Sequence, residues 1–169
     1  MVINLRAVVY TLGILVLFLG VALLFPTGVA LYYGEDVWLA FGSTALGAML
    51  LGGMCWYARD PNEMELQIRE GFVIVALAWV ILSLVGALPF VLSGVLDSFT
   101  DAFFETMSAF TTTGATILGG AGNPQIEEVP KAILFWRSLA HWLGGMGIIV
   151  LTLAILPLLG VGGMPLYKA

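Results

Sequence analysis

Residues 111–116 read Thr111-Thr112-Thr113-Gly114-Ala115-Thr116, small or hydroxyl side chains set in a chain that is otherwise strongly apolar. Three consecutive β-branched residues and a glycine propagate a helix poorly, so the segment is expected to be extended, with Gly114 free to adopt positive φ. Such a segment leaves carbonyl oxygens free, and free carbonyls are ligands for a cation. Ion-selectivity filters work this way: backbone oxygens replace the hydration shell of the ion, and a short helix aims its negative C-terminal end at the pore. Within a bilayer such backbone is tolerated only where it is buried in protein or faces water, because each unsatisfied carbonyl in lipid costs several kcal/mol.

The element that must position this segment lies directly before it. Ser98-Phe99-Thr100-Asp101 has the form of a capping box, which predicts a helix start near Phe99. Phe99, Phe103, Met107 and Phe110 then recur at three- or four-residue spacing as one apolar stripe, with Asp101, Glu105 and Ser108 off it. A helix of about twelve residues is roughly 18 Å long, enough to enter a bilayer and not to cross it, so the chain must turn back. From the residues alone, 98–130 is either a re-entrant pore helix with a filter strand or an interfacial helix followed by a hydroxyl-rich turn. Its position between two long apolar spans is what makes it informative.

The rest of the chain supplies those spans. Of its 169 residues 60% are hydrophobic and 10% charged, against about 25% charged in soluble domains, and the mean hydropathy is +1.04. That excludes an ordinary soluble globular protein. The 10 Phe, 5 Trp and 5 Tyr exclude a disordered one, and six Lys+Arg against eleven Asp+Glu leave no footprint for nucleic acid. Uncharged stretches at residues 7–34, 37–58, 71–96 and 138–167 reach the length of about 20 residues needed to span hydrocarbon. In the first, the apolar part is 8–25, with Pro26-Thr27-Gly28 as a stop. A cleaved signal peptide is the competing reading, disfavoured because the run exceeds the usual signal core. The second stretch ends at the headgroup-type pair Trp56-Tyr57, before a solvated linker at 59–70 that carries six charges. Placing Arg6, Arg59, Arg69 and Lys168 inside, against Lys131 and Arg137 outside, predicts cytoplasmic N- and C-termini and an even number of crossings. The single Cys55 can form no internal disulfide.

Glu70-Gly71-Phe72 through Leu88-Pro89-Phe90, then Phe99-Thr100-Asp101-Ala102-Phe103-Phe104-Glu105, then Phe110 and the hexapeptide, resemble the membrane subunit of Trk-type potassium uptake systems, the TrkH/KtrB family. The run from Lys131-Ala132-Ile133-Leu134-Phe135-Trp136-Arg137 through His141-Trp142-Leu143-Gly144-Gly145-Met146-Gly147 to Leu156-Pro157-Leu158 continues the resemblance over nearly the whole chain. The resemblance implies four helix, pore-helix, helix repeats around one axis, each giving one filter strand, preceded by two extra helices. The expected fold is then an all-α integral membrane protein, with an N-terminal transmembrane helix pair in 1–58 and a cytoplasmic linker in 59–70. The first repeat would occupy 71–169, with a re-entrant pore helix at 99–110, a filter strand at 111–116 and a last span from about 133 to 157. By position in the motif, Thr112 and Thr113 would offer carbonyls to potassium, and Thr111, Gly114 and Ala115 would complete the strand. In this family glycine at the position of Gly114 goes with potassium, and serine with sodium passage. The implied activity is channel-like potassium uptake across the bacterial inner (plasma) membrane, without a cofactor. Because the family continues through three more repeats, the chain is expected to be a piece of a longer subunit, completed by those repeats or by copies of itself. Implied partners are the lipid bilayer, a second full-length subunit in a homodimer, and a cytosolic nucleotide-binding regulatory subunit.

Other residues have plainer explanations beside functional ones. Asp97, Asp101, Glu105, Glu127 and Glu128, with Glu35 and Asp36 in the other outer loop, fit an acidic vestibule that concentrates cations, or capping and solvated charge, which is preferred for Asp101. Glu105 is expected to face water or a partner, with Lys131 or Arg137 the candidates. Gly144, Gly145 and Gly147, with Gly160, Gly162 and Gly163, fit close helix packing rather than a phosphate-binding loop. Arg137 and His141 share one helical face, read as structural pairing ahead of a proton or gating site. A lone histidine, no cysteine cluster and no nucleophile arrangement argue against an enzyme, an intramembrane hydrolase included. The alternatives are a non-conducting membrane scaffold, which has no need of a filter strand, and a sodium-permeable relative.

Overall fold

A computed structural model describes residues 4–57, 68–120 and 122–158, and the regular structure among these described residues is helical throughout. The helices are α1 (Leu5–Tyr33), α2 (Trp38–Tyr57), α3 (Ile68–Leu92), α4 (Phe99–Phe110) and α5 (Lys131–Leu158), with a 3-10 turn at Ile126–Glu128 before the last. α1, α2, α3 and α5 contain stretches long and apolar enough to cross a membrane; the 12-residue α4 does not. This is the all-α membrane architecture that the apolar stretches predict, with a half-length helix between the third and fourth spans.

α1 packs most extensively on α2 and also touches α3 and α5. The α1–α2 seam is built from small residues: an added Cβ at Gly13 would overlap Cys55, one at Gly20 would lie 2.9 Å from the Ala45 carbonyl, and one at Gly52 would lie 2.6 Å from the Leu17 nitrogen. In lipid, apolar side chains gain nothing by leaving solvent, so helices associate through close backbone approach and van der Waals contact. The large side chains Phe18, Leu24, Leu46 and Leu50 remain exposed on the opposite faces, as lipid-facing side chains do.

α1 does not stop at Pro26-Thr27-Gly28 but continues to Tyr33. Pro26 removes the donor that would meet the Ala22 carbonyl, but the helix runs on, as proline-containing helices do in a bilayer, and the next residue's hydroxyl, Thr27, donates to the Leu23 carbonyl at 2.8 Å. The true stop is Gly34 at φ 67°, where Gly34 N and Glu35 N donate back to the carbonyls of Leu31 and Ala30. α3 likewise passes through Pro89 and ends at Leu92, short of the uncharged stretch's end at Leu96. Gly94, at φ 69°, and Val95 close it by donating to Val91 and Phe90.

The turn after α1 also fixes a distant helix. Glu35 Oε1 accepts from Lys131 N at 2.7 Å and Oε2 from Ala132 N at 3.0 Å, so a carboxylate from the first hairpin caps the N-terminus of α5. Lys131 Nζ lies over the Tyr33 ring, 4.1 Å from its centroid. Glu35 is therefore a helix cap and not a free vestibule acid. In the full-length protein Glu35→Ala is expected to lower stability by about 1–2 kcal/mol, seen as a lower thermal midpoint in detergent. Asp36→Ala, exposed in the same turn, should leave the midpoint where it was; equal effects of the two would exclude the cap.

Candidate functional site

α4 begins at Ser98, whose hydroxyl accepts from Asp101 N at 3.4 Å. Among the described residues the reciprocal carboxylate bond of a capping box is not formed, so the expected cap is half made. The helix packs on both α3 and α5, burying Ala102, Glu105, Thr106, Ser108, Ala109 and Phe110. Burial along the apolar stripe is uneven: Phe99 is 44% exposed, Phe103 and Met107 are half-buried and Phe110 is buried, while the polar Glu105 beside the stripe is fully enclosed. Lipid accepts aromatic side chains, and polar ones must find partners inside, so burial on this helix does not follow the apolar stripe.

The last turn of α4 closes onto the 111–116 segment. Thr112 N donates to the Ala109 carbonyl and Thr113 N to the Ser108 carbonyl, both at 3.0 Å, a helix closure whose left-handed residue is Thr112 at φ 58°. A β-branched residue there is strained by about 1–3 kcal/mol, and such strain persists only where the surroundings over-determine the conformation. Gly114 follows at φ 74°, the positive φ expected of it. The Thr111 hydroxyl donates to the Met107 carbonyl at 2.8 Å and pairs with the Thr113 hydroxyl at 2.9 Å.

Glu105 supplies much of that over-determination. Its Oε1 accepts from the Thr116 hydroxyl at 2.5 Å and from Ile117 N at 2.6 Å, and its Oε2 pairs with Arg137 Nε at 2.7 Å. A buried carboxylate is costly unless paired and hydrogen-bonded, and here both oxygens are engaged. Arg137 Nη2 donates onward to the carbonyls of Gly114 at 3.3 Å and Ala115 at 3.4 Å. Ser108 Oγ donates to the same Ala115 carbonyl at 2.7 Å. Arg137, rather than Lys131, is thus the cation that answers Glu105.

α5 can present Arg137 because it lies close to α3 and α4. Trp136, fully buried, donates its indole N–H to the Gly86 carbonyl at 3.0 Å, and packs edge-on against Phe110 and Phe41 with centroids 6.1 and 6.5 Å away. A Cβ on Gly86 would come 2.7 Å from Thr106 Cγ2, and one on Gly144 would overlap the Phe110 carbonyl. The close approach expected of three glycines in α5 is confined to Gly144. Gly145 and Gly147 have ordinary clearances of 3.7 and 3.8 Å, and Gly160, Gly162 and Gly163 lie outside the described residues.

The five residues of the expected filter strand therefore divide. Among the described residues the carbonyls of Thr111, Thr112 and Thr113 accept no hydrogen bond, while those of Gly114 and Ala115 do. His141 does face the segment, its Cε1 3.7 Å from the Cβ position of Gly114. Asp97, Asp101 and Glu128 line a cleft of about 480 Å³, and Glu127 is exposed. No group of three or more metal-ligating side chains occurs among the described residues. Ser108 was not singled out by its spacing, although a hydroxyl in the last turn of a helix is placed to reach back to the chain that follows.

Gly144→Ala is expected to destabilise the full-length protein by about 1–3 kcal/mol by forcing α5 off the end of α4, lowering both membrane yield and thermal midpoint. Gly147→Ala, where a Cβ would meet only Trp79 at an ordinary 3.8 Å, should change neither; a tolerated Gly144→Ala would contradict the close approach.

Residues 40–169 match a family model described as TrkH, cation transport protein. The chain is 46% identical over 165 residues to the Trk system potassium uptake protein TrkH of Vibrio parahaemolyticus and 47% identical over 165 residues to that of Escherichia coli K12. In both cases the match covers 97% of this chain and 33% of the relative, so the chain spans about a third of the length of the curated relatives it matches. The crystal structure of the potassium transporter TrkH from Vibrio parahaemolyticus aligns with a TM-score of 0.84 and 44% identity, covering 96% of this chain and 34% of that one. With the family model covering most of the sequence and the fold in agreement, the chain belongs to the TrkH family of cation transport proteins.

Proposed function

We propose that this chain is the first portion of a Trk-type potassium uptake subunit and carries one of its four filter strands, residues 111–116. The observation that carries the reading is a half-length helix whose C-terminal end opens directly into a segment in which the Thr112 and Thr113 carbonyls accept no hydrogen bond among the described residues. A carbonyl at membrane depth without a protein donor needs water or a cation, and the negative end of α4 favours the cation. Thr112 and Thr113 are the potassium ligands in this account, and Thr111, Gly114 and Ala115 complete the strand. Potassium is the transported substrate, no cofactor takes part, and the subunit is a transporter and not an enzyme. The names of the similar proteins, potassium uptake proteins of the Trk system, support potassium as the ion.

The rest of the reading follows from the same likeness. Residues 1–58 carry an accessory helix pair and 71–169 the first repeat, with the remaining three repeats closing the pore; the cytoplasmic linker expected at 59–70 is shorter at its end, because α3 already begins at Ile68 and Glu70 is buried, and residues 58–67 lie outside the described residues. The excess of arginine and lysine near the linker and the two termini supports cytoplasmic termini in a bacterial inner membrane. A second subunit and a cytosolic nucleotide-binding regulator complete the assembly.

In full-length protein reconstituted into vesicles, Gly114→Ser is expected to raise sodium uptake relative to potassium by about tenfold, the scale of about 1.4 kcal/mol. Unchanged uptake of both ions would refute the filter assignment and favour a non-conducting scaffold. A cysteine introduced at residues 59–67, ahead of α3, should react with an impermeant thiol reagent only from the cytoplasmic side; reaction from outside would reverse the topology.

A further inference from the structure

α1 is tied to the pore repeat at both of its ends. At the first, Asn4 N donates to the Glu70 carboxylate at 3.3 Å, and Val8 and Leu12 cluster with Ile74 of α3. At the other, about 43 Å along a helix of 29 residues, Glu35 accepts from Lys131 N and Ala132 N, and Lys131 Nζ lies over the Tyr33 ring. Glu35 is itself held in place: Gly34 at φ 67° closes α1, and Glu35 N donates back to the Ala30 carbonyl at 2.9 Å. The free N–H groups at a helix start are ordinarily met by the residue directly before it. Here that residue is Pro130, which has no side-chain acceptor, and the cap comes instead from a hairpin 96 residues away.

α5 in turn supports both ends of the 111–116 segment. Gly144 lies against the Phe110 carbonyl where the segment begins. Arg137 pairs with Glu105, which accepts from the Thr116 hydroxyl and Ile117 N where the segment ends. A shift of α5 along its axis moves both supports together against α4 and displaces the carbonyls between them, on whose placement ion selection depends. We propose that Glu35 is a positioning residue for ion selection: from the α1–α2 hairpin it sets the height of α5, and through α5 the placement of the filter carbonyls. The accessory pair is thereby part of the selecting machinery and not only a membrane anchor. The inference rests on residues 111–116 being a filter strand, and it deepens that reading by tracing what holds the strand at its height.

The test measures potassium and sodium uptake by vesicles holding the full-length protein with Glu35→Ala, Asp36→Ala or Glu35→Ala/Pro130→Asp. A loss of folded protein lowers both uptakes alike, so their ratio reads the placement of the strand and not the yield. Glu35→Ala should lower the potassium-to-sodium ratio at least about threefold, within the range of coupling through a backbone shift; a wild-type ratio overturns the proposal. Asp36→Ala removes the same charge from an exposed position in the same turn and should keep the wild-type ratio. An equal fall would trace the effect to the charge of the outer loop and overturn the positioning role. In the double variant an aspartate directly before α5 supplies the cap locally and returns the lost charge, but leaves the hairpin untied. Its ratio should stay at least about threefold down, whereas a wild-type ratio would mean that a cap from any source suffices, which overturns the proposal. Gly114→Ser measured in parallel separates the two levels. If it relaxes selectivity and Glu35→Ala does not, the positioning role is wrong and the filter strand stands; if it is inert, the filter assignment fails and this role with it.

Discussion

The ion pair between Glu105 and Arg137 is the interaction on which the functional end of this molecule depends. A carboxylate with no exposed surface has to be neutralised and hydrogen-bonded where it lies, and the positions of its three partners, Thr116, Ile117 and Arg137, are thereby constrained. Thr116 and Ile117 fix the far end of the hexapeptide, Ser108 fixes the Ala115 carbonyl, and Arg137 ties the whole to α5. Between that clasp and the last turn of α4, Thr112 is held in a left-handed conformation that a threonine would not choose alone. Strain of this kind is retained where the geometry of particular carbonyls matters more than local stability.

The clasp works only if α5 stands at a fixed height and distance, and the spanning helices provide both. Glu35 pins the first turn of α5 to the α1–α2 hairpin, Trp136 anchors the next turn to Gly86 of α3, and Gly144 lets the helix lie against the end of α4. None of these contacts depends on burying apolar surface from water. They are hydrogen bonds, a helix cap and close backbone packing, the forces that remain when lipid is the solvent.

Much of this arrangement was legible from residue types. The half-length α4 followed from Ser98, the spacing of its aromatic residues and the TTTG end, and Glu105 was expected beside a cation. Other features were not legible, for identifiable reasons. Propensity assigns positive φ to Gly114, and it has no means of anticipating a second such residue at Thr112, because the tertiary clasp imposes it. Helical periodicity finds a stripe on α4 but cannot say which face lipid covers, so the buried polar face emerged only from packing. Pro26 reads as a stop because the rule comes from water-soluble helices, whereas a spanning helix tolerates proline in its interior. Glu35 as the cap of α5 joins residues 96 apart, a pairing that no local pattern encodes.

The central claim is that the strand following α4 binds the transported cation through backbone carbonyls, those of Thr112 and Thr113 among them. The most direct measurement is an anomalous-scattering map of the full-length protein crystallised with rubidium in place of potassium. The account predicts rubidium density in direct contact with the Thr112 and Thr113 carbonyls, and Arg137 still bonded to Glu105. Rubidium density only at sites remote from residues 111–116 would contradict it.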